Sequence, residues 1–219
     1  AAQTTQVQII RYANDGTTVA SQVTHDVAWM ESNLPVFGDG VTPYLFQGPI
    51  VEATASDPAK WNPAEDSNLD KVNETIKGTY LKDLCELVGG MQPGGEVKIS
   101  ASDGFSIRLA YDNVVTPLPR QGPPVLAWWT AREGYGYQNG MHLFFGADTS
   151  TNPYGLHVFG HEDMRQSMDA KYWGWYGGKD NLPSAAQLSN RNVAKVEIFP
   201  APSTDWTVLL NGSIKRDIT

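Results

Sequence analysis

The sequence predicts an α+β fold that is mostly β, with one central helix. Short runs rich in Val, Ile, Phe, Tyr and Trp recur along the chain, cut apart by Gly, Pro and Asn. An Asp103-Gly104 turn between two alternating runs, "EVKISA" and "FSIRLAY", signals a β-hairpin. A single stretch, "LKDLCELV", instead places apolar residues at Leu81, Leu84, Cys85 and Val88, the i, i+3, i+4, i+7 spacing of a helix face.

In chain order, Gln6 to Ala13 read as a strand ended by the Asn14-Asp15-Gly16 turn, and "TTVASQVTHDV" continues in extended alternation. "AWMESNLP" offers a helical turn before Pro35, and "YLFQG" a short apolar stretch within a Gly- and Pro-rich loop. A long polar connection runs from Glu52 to Thr75, a length that implies a function or a staple. The central helix then ends at Gly89-Gly90, where glycine takes the left-handed conformation most easily. "PPVLAWWTA", "GMHLFFGAD", "GLHVFG" and "VAKVEIF" supply further strands, and "HEDMRQSMDAKYW" a short helix. Residues 1–75 thus carry N-terminal strands and the long connection of the same domain, 76–199 the core, and 200–219 a C-terminal strand extension.

Composition excludes several partners. The chain has 219 residues, with Lys+Arg 16 against Asp+Glu 24 for a net charge of -8, which repels nucleic-acid phosphates and anionic membranes alike. No apolar run approaches the roughly 20 residues that span a bilayer. The first residues, "AAQTTQ", resemble what remains after signal-peptide cleavage, and the Thr-, Asn- and aromatic-rich composition suits a secreted or cell-surface protein. Asn73-Glu74-Thr75 and Asn211-Gly212-Ser213 form glycosylation sequons.

The order "IKGTYLKDLCELVGGMQPGGEVKISASDGFSIRLAYDNV", then "GPPVLAWW", "GMHLFF" and "NVAKVEIF", resembles the molybdopterin-binding domain of the sulfite oxidase-like oxidoreductases. The resemblance covers Ile76 to Phe199 and is most specific at Ser102-Asp103-Gly104-Phe105-Ser106. It implies a mixed, barrel-like sheet and, in a catalytic member, molybdenum held by a cysteine upstream of the Gly-x-x-Leu helix. Soft sulfur ligands suit that metal. The corresponding stretch here, "VTPYLFQGPIVE", has no cysteine, and Cys85 falls inside the helix. A non-catalytic relative is the expectation; a pterin-binding relative would show a pocket beside Phe46 and Gln47.

Other constellations offer chemistry. Glu65, Asp66, Asn68 and Asp70 have the D-x-N-x-D opening of a calcium loop, although Lys71 and Lys77 stand where an EF-hand needs glycine and glutamate. A calcium staple for the long connection competes with a plain solvated loop, and no other cofactor is expected. His157 and His161, four apart beside Glu162 and Asp163, with His142 on a preceding strand, suggest zinc or copper; Gly160 between them argues against a shared helix face. Tyr135, Tyr137, Tyr172, Trp173, Trp175 and Tyr176 could stack on sugars, anchor a neighbouring subunit or pack internally. Cys85 reads as a core residue rather than a reactive thiol.

The closing segment, Trp206 to Ile218, reads as one strand with no hairpin mate of its own, its assembly face made by Trp206, Val208, Leu210, Ile214 and Ile218. In tandem surface proteins built from the resembled domains, such a "W-T-x-x-L-N-G" strand opens the following repeat. A bare strand is an adhesive edge. The expectation is an exported, non-enzymatic structural subunit that self-associates head-to-tail into a filament or layer, the N-terminal "QVQII" strand serving the same end. The alternatives are a molybdopterin-binding oxidoreductase relative and an extracellular sugar- or metal-binding module.

Overall fold

The computed structural model of the chain describes residues 3–50, 61–62, 64, 68–178 and 181–202, together with the backbone of 209–210 and 213–214. Glu65, Asp66, Trp206, Val208 and Ile218, all singled out above, lie outside the described residues.

The described chain is mostly β, built on two mixed sheets. β1 (Gln6–Tyr12) and β2 (Val19–Asp26) form an antiparallel hairpin, and β1 also pairs in parallel with β13 (Val193–Phe199), with Gln8 opposite Lys195 and Arg11 opposite Ile198. β13 continues antiparallel onto β6 (Glu96–Ala101), and β6 onto β7 (Ser106–Ala110), through the predicted Asp103-Gly104 turn. The five-stranded order is therefore β2-β1-β13-β6-β7. This placement corrects the expectation that β1 is available for exchange. Its backbone is occupied on both sides, by β2 and by β13.

The second sheet gathers β3 (Val36–Phe37), β4 (Pro43–Phe46), β5 (Val72–Tyr80), β8 (Pro124–Thr130), β9 (His142–Phe145) and β10 (His157–Phe159). Its order is β10-β4-β5-β8-β9, with β3 also on β5 and the β10–β4 pair parallel. β5 occupies the end of the expected polar connection, so that connection stops at Val72 rather than Thr75. Neither sheet closes on itself, which corrects the barrel-like expectation: each strand order ends in two outer strands. The sheets are instead stitched where β9 meets the approach to β13. There Leu143 N–H donates to Asn190 O at 2.8 Å, and Val193 N–H to Met141 O at 2.8 Å.

Short helices join these strands. α1 (Val27–Asn33) starts where Asp26 accepts the Trp29 N–H at 2.8 Å, and it stops at Leu34, before Pro35. α2 (Leu81–Glu86) is the predicted helix, and Leu81, Leu84, Cys85 and Val88 are all buried as their spacing requires. Gly89 and Gly90, at φ 97° and 72°, end it. α3 (Tyr111–Val115) follows β7, and α4 (His161–Ser167) follows Gly160. α2 packs on β1, β5 and β8, so one apolar cluster runs from Ile9 and Ile99 through Leu84 to Leu126 and Phe144. Two small pairs complete the described structure: β11 (Trp175–Tyr176) with β12 (Leu182–Pro183), and β14 (Leu209–Leu210) with β15 (Ser213–Ile214).

The last pair alters the reading of the closing segment. Leu209 lies opposite Ile214 and Leu210 opposite Ser213, antiparallel, so the chain reverses between Leu210 and Ser213. The expected single strand is a hairpin here.

Candidate functional site

The histidines are placed as structural groups. His161, the first residue of α4, donates from Nε2 to Gly48 O at 2.9 Å and accepts the Ala185 N–H on Nδ1 at 3.3 Å. Burial holds its pKa down to about 4, against the opposing pull of the Gly48 carbonyl. His157 donates from Nδ1 to Ala147 O at 2.7 Å. His142 is fully buried between the hydroxyls of Tyr137 and Ser189, and burial, then the Arg191 charge, lower its pKa to about 3. Among the described residues no group of three or more His, Cys, Asp and Glu is placed to hold a metal ion. Sequence spacing missed Ser189 because it lies 47 positions from His142.

The Tyr137–His142–Ser189 chain has the outline of an oriented base beside a hydroxyl nucleophile. Its burial decides its role. Ser189 is 9% exposed and His142 0%. It locks β9 to the 189–190 turn.

Of the acidic cluster, Asn68 and Asp70 are described and both are exposed. The Asn68 side-chain amide donates to Pro49 O, which ties Asn68 to the stretch just after β4. Cys85 is buried in α2, and burial, reinforced by Glu86, pushes its thiol well above the ordinary cysteine range. Asp163, also fully buried, accepts the Gly160 N–H at 2.9 Å and pairs with Arg120 Nε at 3.1 Å. Burial raises its pKa, and those two partners oppose the shift.

The aromatic residues divide. Tyr137 is core, and Tyr135 stacks on Trp128 with centroids 5.9 Å apart while its hydroxyl donates to Glu31 at 2.7 Å. Trp173 packs with Trp61 and Trp175 in a triangle, its centroid 5.0 and 6.1 Å from theirs, and its indole donates to Met168 O at 2.9 Å. Beside this cluster a cleft of about 420 Å³ opens along the outer side of β7, lined by Phe105, Arg108, Lys171, Trp173, Trp175 and Gln187 among others. Arg108 is held there by Glu96 at 2.7 Å and lies 4.8 Å from the Phe199 ring. Tyr172 donates to the other Glu96 oxygen at 2.9 Å, and the Lys171 ammonium stands 4.6 Å from the Tyr172 ring centre. Sequence pattern pointed to the aromatic wall but not to Arg108, which faces it from the distant β7.

Phe46 and Gln47, beside which a pterin pocket would be expected of a pterin-binding relative, are both packed. Phe46 is 0% exposed, its ring 5.6 to 6.0 Å from those of Phe144, Phe145 and Phe159. Gln47 is equally buried, and its side-chain oxygen accepts the His161 N–H at 3.0 Å. No protein-family model matches the chain, and no curated protein matches it.

Proposed function

We propose that the chain is an exported, non-enzymatic structural or surface-assembly subunit that joins its neighbours by strand pairing, with residues 206–218 as the joining element. One observation carries this reading: among the described residues, β14 and β15 pair with each other and with neither main sheet. A two-stranded hairpin is marginal by itself in water. Addition to a neighbour's sheet would satisfy its outer amides and carbonyls, and such a head-to-tail contact propagates unless it closes a ring. The buried, internally bonded histidines and the inert thiol support a role without chemistry of their own. The resemblance to sulfite oxidase-like domains enters as a proposed ancestry. The packed Phe46 favours a relative that has lost the pterin, and elemental analysis for molybdenum tests that point.

Light scattering and negative-stain microscopy of the intact chain, against a form cut after Pro202, test the assembly. The intact chain is expected to form higher-order species that the cut form lacks. Identical distributions overturn the reading.

A second reading rests on the β7 cleft. Its aromatic wall, two cations and Gln187 suit an acidic sugar. Trp173 is already contacted by two indoles, however, and the Tyr172 ring by Lys171, so few ring faces are left for stacking. Titration calorimetry with glucuronate, comparing the intact chain with Lys171→Ala, tests it; absence of heat in both rejects it.

A further inference from the structure

We propose that β2 is a self-association edge that pairs antiparallel with β2 of a second copy, joining two five-stranded sheets across a two-fold axis. The two strand orders leave four outer strands, β2, β7, β9 and β10, and these differ in how their edges are protected. Native proteins blunt exposed edges by shortness, charge, proline or a covering segment. β10 is three residues long. β9 is bonded onward to Asn190 and to the approach to β13. β7 is five residues long, carries Arg108, and is flanked by the 170–172 turn that packs against it.

β2 has almost none of these devices. It runs for eight residues, "VASQVTHD", with no Lys, Arg, Glu or Pro. Its one charge, Asp26, stands at the end and is engaged in capping α1. A register shift against β1 is confined to its first residues. Every residue of β2 is exposed or half-buried, and among the described residues no backbone bond reaches its outer side.

The occupant follows from charge and symmetry. A chain of net charge -8 repels its own copies over most of its surface, but from Val19 to His25 the β2 edge carries no acidic residue. An antiparallel pair of identical strands is isologous, so every backbone group that one copy offers meets its complement in the other. Gln22, which is exposed, would lie on the axis opposite its own copy, with Thr24, also exposed, opposite Ala20. This contact is separate from the one proposed for residues 206–218.

The test uses the full chain and the form cut after Pro202. Multi-angle light scattering over a concentration series is expected to show dimers in both. The double variant Gln22→Lys, Thr24→Lys is expected to be monomeric in the cut form, with unchanged circular dichroism. In a Gln22→Cys variant, where the natural Cys85 is buried, mild oxidation is expected to yield a disulfide-linked dimer. A cut form that is monomeric at every concentration overturns the proposal and leaves the terminal-segment reading standing. So does a Gln22→Cys chain that does not cross-link, whether or not the lysine variant folds.

Discussion

At the residue scale, two buried histidines set the acid limit of the fold. An unfolded histidine titrates near 6.5, whereas burial holds His161 at about 4 and His142 at about 3. Between those values the unfolded chain binds more protons than the folded one. Stability is therefore fully present above 6.5 and is lost as the pH falls toward 3. The loss amounts to about 2 kcal/mol per histidine between neutrality and about pH 5. Asp163 works the other way, because its raised pKa adds stability as the pH falls toward and below that value. Urea unfolding across this range is expected to give a shallower slope for His142→Gln than for the parent; equal slopes would refute the assignment. Gly78 is a second sensitive position. A Cβ there would stand 2.5 Å from Leu126 O, at the irregularity where β5 meets β8. Gly78→Ala is expected to cost about 1–3 kcal/mol in unfolding free energy, since the obstructing atom is backbone. Little of this was readable beforehand: the spacing of His157 and His161 suggested metal, while their carbonyl partners lie up to 113 positions away.

At the scale of elements, legibility follows how local the determining signal is. The α2 stripe, the Asp103-Gly104 hairpin and the runs that became β8, β9, β10 and β13 each carry their periodicity within about ten residues, and each formed as predicted. β5 did not announce itself, because "VNETIKGTY" buries Val72, Ile76, Gly78 and Thr79 without strict alternation. The parallel pairings of β1 with β13 and of β4 with β10 join strands far apart in sequence, and no local pattern encodes them. The pairing of Leu209–Leu210 with Ser213–Ile214 is local, but the alternation of the closing segment suggested one continuous strand. Because α2 touches β1, β5 and β8, it is the wedge between the sheets. Leu84→Ala is expected to lower unfolding free energy by about 2–5 kcal/mol, with the cavity setting where in that range it falls. Chemical denaturation measures it; a loss under about 1 kcal/mol would place α2 outside the cooperative core.

At the scale of the whole molecule, charge and edge chemistry oppose each other. The net charge of -8 disfavours any contact between copies, while the β2 edge and the β14–β15 hairpin offer backbone pairing that carries no charge of its own. Salt separates these contributions. The Debye length shrinks from about 30 Å at 0.01 M to about 8 Å near 0.15 M, so repulsion between copies fades while backbone hydrogen bonds and apolar contact persist. Association is therefore expected to strengthen as salt rises over that interval, with the steepest change at the low end. Had ion pairs such as Arg108 or Lys171 against a neighbour's carboxylates held the copies together, the same titration would weaken the assembly. Sedimentation velocity at fixed protein concentration distinguishes the two: a weight-average sedimentation coefficient that rises with salt supports neutral-edge pairing. One that falls would assign the contact to the basic cleft along β7 and remove the β2 edge from the account.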